Sequence, residues 1–379
     1  MVLEFEQDEA RIEWEPDASV TADIYQVKVY AQPKDGGSKS LVHTSQEFEL
    51  GTGKHLYRLT IDYMYYNRAA KATATGSGPL PNILEFSFAI LIEGEETEVA
   101  DVVEVHFVRY VPQLMGIKGF SNAEGLQRIW FTRGSNINKD SVDPEIDAVT
   151  FSWATSESSQ VRTEANQFIR ATENALNAWT NTAPKRSLKA EINRMVTDGK
   201  MSLPASQGSK TSFGVTSKAI ITHRGEKMPE YEKYYFNSKS FSGFFDMGVH
   251  FMTDGLDDFV ASLANFNFHM YAKGELVYNE PGLISNASVQ VNVKQLGIYI
   301  KDSYDFIDDD PSAASQELGF WRIDSRDAIT IERTRDNPSG FFEVTNKSYR
   351  DYRDAHQMGY NYHLYSTVKL ESINANFKL

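Results

Sequence analysis

The chain has 379 residues, 41% hydrophobic and 12% aromatic, which is enough for roughly two or three domains with cores of their own. Its 38 Lys and Arg face 52 Asp and Glu, a net charge of −14 with no basic block to offset it, so a nucleic-acid partner is not expected. There is no cysteine, which excludes disulfides, a thiolate nucleophile and any Cys-based zinc site.

The opening stretch MVLEFEQDEARIEWE is acidic and has neither a basic n-region nor an apolar h-region, so a Sec-type signal is not expected. The longest apolar runs, such as Phe86–Ile92, have strand length and are too short to span a bilayer. Residues 1–112 read as β. Ile24–Ala31, His55–Tyr66, Leu84–Ile92 and Asp101–Val111 alternate with period two, and glycine-rich turns separate them. The spacing predicts an all-β, immunoglobulin-like sandwich, read as a docking or delivery domain.

Residues 113–250 change texture to a helical and mixed region. Ser158–Thr180 places Val161, Ala165, Phe168, Ile169, Ala171, Leu176 and Trp179 roughly at helical spacing, and Ser187–Lys200 reads as a second helix with Ser187 as N-cap and Gly199 at the C-cap. Residues 251–379 read as an α+β domain. A helix capped by Thr253 or Asp254 precedes a long antiparallel hairpin, Phe268–Asn279 with Ala287–Phe306. In its second strand the apolar positions switch from Val289, Val291 and Val293 to Leu296, Ile298 and Ile300, so one extra residue near Lys294–Gly297 predicts a β-bulge. Asp327–Thr334 and Tyr362–Leu379 are expected to extend this antiparallel sheet toward a half-barrel, giving an α+β class overall.

The hairpin ends in KDSYDFIDDD, with Asp302, Asp305, Asp308, Asp309 and Asp310 close together. The spacing lacks the alternating ligands and central glycine of an EF-hand loop. Either it is a solvated acidic turn, or Asp302 and Asp305 converge where the chain turns, as paired carboxylates suited to acid–base work or Mg²⁺. None of the eight histidines falls in HxH or HExxH spacing, and His356 reads as an exposed helix-end residue.

Two resemblances add to this. Pro112–Phe131, Gly297–Phe306, Gln316–Trp321 and Val344–Ser366 together resemble an uncharacterised bacterial domain family associated with type VI secretion. A helix ending in LANF, a hairpin and a strand leading to D-x-Y-D-F resemble the catalytic part of colicin M-type bacteriocins, which cleave lipid II with Mg²⁺. That likeness implies a catalytic set of Asp302, Tyr304 and Asp305, with Asp302 and Asp305 on the metal. Those toxins place a His-Arg pair soon after the second Asp, whereas Ile307–Ser315 contains neither residue; His356 with Arg353 or Arg322 are the substitutes considered. Tyr304, Phe306, Phe320 and Trp321 are either core residues or contacts for an isoprenoid chain.

The expectation is therefore an antibacterial type VI effector made in the bacterial cytoplasm, secreted without a signal peptide and active in the target-cell periplasm. It would hydrolyse lipid II at the inner-membrane surface and so block peptidoglycan synthesis. Its partners would be a secretion spike protein and a cognate immunity protein. The alternative is a non-enzymatic secretion adaptor or structural cargo, whose acidic surface suits a basic partner.

Overall fold

The computed structural model describes residues 2–6, 8–242, 256–263, 265–279, 288–307, 315–332 and 337–379. Asp308, Asp309, Asp310 and the expected caps Thr253 and Asp254 lie outside them. The class is α+β. The chain divides into two compact units, each built from separated segments, where the sequence reads as three consecutive spans. The first unit comprises residues 1–131, 254–256 and 306–358; the second comprises 132–253, 257–305 and 359–379.

The first unit is organised by β-sheets. Ile24–Pro33 and Ile83–Ile92 form the centre of a six-stranded antiparallel sheet, with Val103–His106 paired to the latter. Their alternation sends Val27, Val29 and Ala31 inward with Leu84, Phe86 and Phe88, all 0% exposed. Val2–Glu6, Glu9–Trp14 and His55–Thr60 form a separate three-stranded sheet. The strand read through Tyr66 stops at Thr60, and Tyr63–Thr73 is a helix. Asp62 caps it by accepting from the Tyr65 backbone N–H at 2.8 Å. Its buried residues include Tyr63, Tyr66, Ala70 and Thr73, a helical spacing that the aromatic, strand-like composition concealed.

The second unit is a curled seven-stranded sheet around Asn265–Asn279 and Ser288–Tyr304. Lys210–Phe213 and Asn237–Ser242 flank the first of these, and Tyr362–Tyr365 and Lys369–Lys378 flank the second. Ala328–Glu332, expected in this sheet, pairs instead with Glu317–Ser325 in a three-stranded sheet of the first unit. One face of the sheet is covered by helices. Ser159–Asn177 buries Val161, Phe168 and Leu176, and the Phe168 and Phe268 rings meet at 6.4 Å. Ala183–Thr197 begins four residues before the expected cap, with Pro184 in its first turn and Ser187 inside it; Gly199 follows with φ +69°. On the other face lie the hairpin Ile220–His223 with Glu226–Pro229, and the 3₁₀ turn Glu230–Tyr234. There Tyr231 packs with Tyr271, Tyr299 and Tyr365.

The bulge falls where the apolar pattern switches. Lys273 pairs with Gln295 and Gly274 with Val293, which leaves Lys294 as the extra residue. Val291 and Val293 before it, and Leu296, Ile298 and Ile300 after it, are all buried. The kink brings two backbones together at Gly274, where a Cβ would sit 2.1 Å from the Asn292 carbonyl oxygen. Gly274→Ala should therefore destabilise the protein by about 1–3 kcal/mol, read as a lower denaturation midpoint in urea.

Candidate active site

Alternation along Ser288–Tyr304 separates two kinds of side chain. Ile298, Ile300 and Asp302 share one face, while Tyr299, Lys301 and Ser303 point to the other. Across the ladders His269 lies opposite Tyr299 and His363 opposite Ser303, so the second face carries a row of polar groups along two neighbouring strand pairs.

At the centre of that face is Glu232, only 1% exposed. Its carboxylate lies 3.1 Å from both His269 Nδ1 and Lys301 Nζ, and it accepts a hydrogen bond from the Tyr299 hydroxyl. Burial pushes the carboxyl up, but His269, Lys301 and Tyr299 outweigh it, and the group sits below the ordinary range. Lys301 also pairs with Glu226 at 2.6 Å. Glu226, Glu232 and Lys301 line a cavity of about 390 Å³ together with Arg194, Arg224 and Lys233, so both signs of charge border it.

Toward the strand end, Glu226 Oε1 lies 3.7 Å from His363 Nε2. That nitrogen is 2.7 Å from Asp140 Oδ1, and His363 Nδ1 is 3.0 Å from Ser303 Oγ. A carboxylate can only accept, so Nε2 carries the proton toward Asp140, and in the neutral imidazole Nδ1 accepts from the Ser303 hydroxyl. His363 is thus an oriented base with carboxylates positioned to stabilise its protonated form. Asp140, Glu226 and His363 also bring three donor atoms within 4.8 Å of one another, one of two such sets among the described residues. Two carboxylates and an imidazole suit a divalent ion.

The D-x-Y-D segment ends the same strand. The chain turns there, with the Asp305 N–H donating to the Ser303 carbonyl at 3.1 Å. Asp305 is ion-paired with Lys139, the residue before Asp140, so one 3₁₀ turn, Lys139–Ser141, holds both Asp305 and His363. Asp302 is partly exposed as a residue, but its carboxyl group is enclosed and accepts from the Ser303 N–H at 2.7 Å. Burial, with a smaller contribution from the charge of Asp305, pushes it up to about 8, against the pull of the Ser303 N–H and Lys139. Tyr304 is 8% exposed and stacks on Tyr362 at 5.3 Å.

The other residues considered from sequence belong to the first unit and have partners there. Arg322 pairs with Asp324 at 2.6 Å and Arg353 with Asp354 at 3.5 Å. His356 is half-buried against His106 rather than exposed at its helix end. Phe306, Phe320 and Trp321 are core residues. The residues that sequence reasoning passed over are His363, Asp140, Glu226 and Glu232. The available signal was Tyr299-x-Lys301-x-Ser303, a polar alternation inside an otherwise apolar strand.

Residues 108–379 match the model of a family of unknown function, DUF6402. The chain belongs to that family. The description assigns the matched region no activity, and no curated protein or solved structure matches the chain. The matched region contains the whole polar network around Glu232 and His363 as well as the D-x-Y-D segment.

Two outcomes test the electrostatics. A folded-state carboxyl raised to about 8 favours the protonated native state, so the stability due to Asp302 is full below pH 4 and is lost as pH rises through 8. Asp302→Asn mimics the protonated form, so the stability of the parent relative to the variant should fall between pH 4 and 8 in paired chemical denaturations. Glu232→Ala leaves Lys301 with Glu226 alone and His269 Nδ1 and the Tyr299 hydroxyl without their buried partner, and should cost about 3–5 kcal/mol by the same measurement.

Proposed function

We propose that the second unit is a metal-assisted phosphoester hydrolase acting at the Tyr304 end of its long strand. The substrate inferred is the undecaprenyl-pyrophosphate linkage of lipid II, cleaved in the periplasm of a target cell by an antibacterial effector. The observation that carries this reading is the imidazole of His363, held between Ser303 and Asp140 beside the D-x-Y-D segment. The resemblance implies a histidine after the second aspartate, and His363 offers that base from the neighbouring strand rather than from the following loop.

In this reading His363 takes a proton from the attacking water, and Asp140 with Glu226 stabilises the imidazolium that forms. Water oxygen bonds to phosphorus as the bond from phosphorus to the polyprenyl oxygen breaks, and the imidazolium returns its proton to that leaving oxygen. Arg224, bordering the cavity, supplies positive charge for a phosphate group, whereas Lys301 is already paired with Glu226 and Glu232. Asp302 points to the face of the strand opposite His363 and Lys301, so Mg²⁺ on Asp302 and Asp305 would neutralise the pyrophosphate from across the end of the strand when bound. Because the Asp302 carboxyl is pushed up to about 8, such an ion must expel its proton, and affinity for Mg²⁺ should rise with pH through that value.

A second reading, a non-enzymatic adaptor of the secretion machinery, draws on a different observation. Lys139 already neutralises Asp305, and Asp302 is satisfied by a backbone N–H, so neither needs a ligand. Incubating the purified chain with lipid II and Mg²⁺, Mn²⁺ or Zn²⁺, and following release of the polyprenyl product by mass spectrometry, separates the two. The hydrolase reading expects turnover that drops at least about 10²-fold in His363→Ala and in Asp302→Asn/Asp305→Asn, with melting temperatures largely retained. No turnover with any of the three ions would remove the hydrolase and leave the adaptor.

A further inference from the structure

The first unit holds a second cluster of ligating side chains, remote in sequence from the D-x-Y-D segment. Strand Val103–His106 carries Glu104 and His106 two residues apart, so strand alternation places both on one face. Helix Asn346–His356 ends with His356 against them. The His106 and His356 rings are 5.0 Å apart and nearly perpendicular, and Tyr352 packs on both. One donor atom from each of Glu104, His106 and His356 lies within 4.8 Å of the other two.

Three features distinguish this cluster from ordinary packing. His356 Nε2 is buried and has no hydrogen-bond partner among the described residues, an expense that a bound cation would remove. Burial holds both imidazoles toward the neutral form, His356 down to about 4, and a metal on His106 Nε2 would displace the proton that this nitrogen donates to Glu104. Glu104 is kept ionised despite partial burial by Lys34, 2.5 Å from one carboxylate oxygen, and by His106, 2.6 Å from the other.

We propose that Glu104, His106 and His356 form a binding site for a divalent transition metal of the Zn²⁺ class. Two imidazoles and one carboxylate are a ligand set that zinc accepts with a fourth position open to water or an anion. Around a tetrahedral ion with ligands at about 2.1 Å, donor atoms stand ~3.4 Å apart, so a donor up to 4.8 Å from the others would close by up to about 1.4 Å, while the 2.6 Å contact between Glu104 and His106 would open. Lys34 occupies the outer side of Glu104 and would orient its carboxylate toward the ion. Ligation would tie the C-terminus of a helix beginning at residue 346 to a strand more than two hundred residues earlier in the chain.

Zn²⁺ titration of the full-length protein by calorimetry tests this, with His356→Gln, Glu104→Gln and His363→Gln in parallel and circular dichroism recorded for each. The parent and His363→Gln should bind Zn²⁺ equally at this site, whereas His356→Gln and Glu104→Gln should bind it at least about tenfold more weakly. Glu104→Gln leaves both imidazoles packed, so it reports on ligation even if His356→Gln disturbs the fold. Zinc should also shift the imidazole resonances of His106 and His356 in the parent. Absence of zinc binding by the parent, unchanged affinity in folded Glu104→Gln, or loss of all binding in His363→Gln would overturn the proposal.

Discussion

The second unit is organised around one buried charge. Moving an isolated carboxylate out of water costs several kcal/mol, and the attraction of a counter-ion offsets this only where geometry is good and the remaining lone pairs are satisfied. Glu232 meets that condition through three partners from two adjacent strands, His269 on one and Tyr299 and Lys301 on the other. The requirement works in both directions. The 3₁₀ turn that carries Glu232 must sit over the sheet, and the sheet must present polar groups where an ordinary core would place aliphatic ones. Tyr231, the preceding residue, fills the adjoining apolar space with Tyr271, Tyr299 and Tyr365, so the polar network and the tyrosine cluster fix the same segment.

That constraint explains why both faces of the sheet are covered near Gly297–Ile300. A sheet with one solvated face would leave Lys301 and His269 in water, where pairing with Glu232 would contribute little. Covered, the pair operates at lower dielectric, and the same burial reaches the neighbouring Glu226 and His363. The bulge at Lys294 belongs to the same arrangement. It keeps valines inward on one side and leucine and isoleucine inward on the other, and it therefore sets which residues after it face the network.

Much of this architecture was legible in the sequence wherever a local period carried it. The alternation around Phe86, the helix through Phe168, the hairpin and the displaced register at Lys294 each depend on neighbours only a few residues apart. The helix Tyr63–Thr73 was hidden because tyrosines suit strands by composition, and only the cap at Asp62 and burial at helical spacing reveal it. The polar site was hidden for another reason. Asp140 and His363 are 223 residues apart in sequence, and no spacing rule connects them. Glu104 and His106 did carry a local signal, a ligand pair on one face of a strand, but its third member lies in another segment of the unit.

The aspartates that composition would place in water illustrate how topology redistributes chemistry. Asp302 faces the side of the strand that also carries Ile298 and Ile300, so its carboxyl is enclosed and raised, whereas Asp305, beyond the turn, reaches Lys139. Lys139 and Asp140 are consecutive, and they divide their partners between the motif aspartate and the histidine. A single short turn thus supplies the partner of Asp305 and sets the tautomer of His363 together. Displacing Lys139 from Asp305 would release a carboxylate beside Asp302 and at the same time disturb the hydrogen bond that orients the base. The carboxylates and the imidazole are coupled through the backbone of that turn.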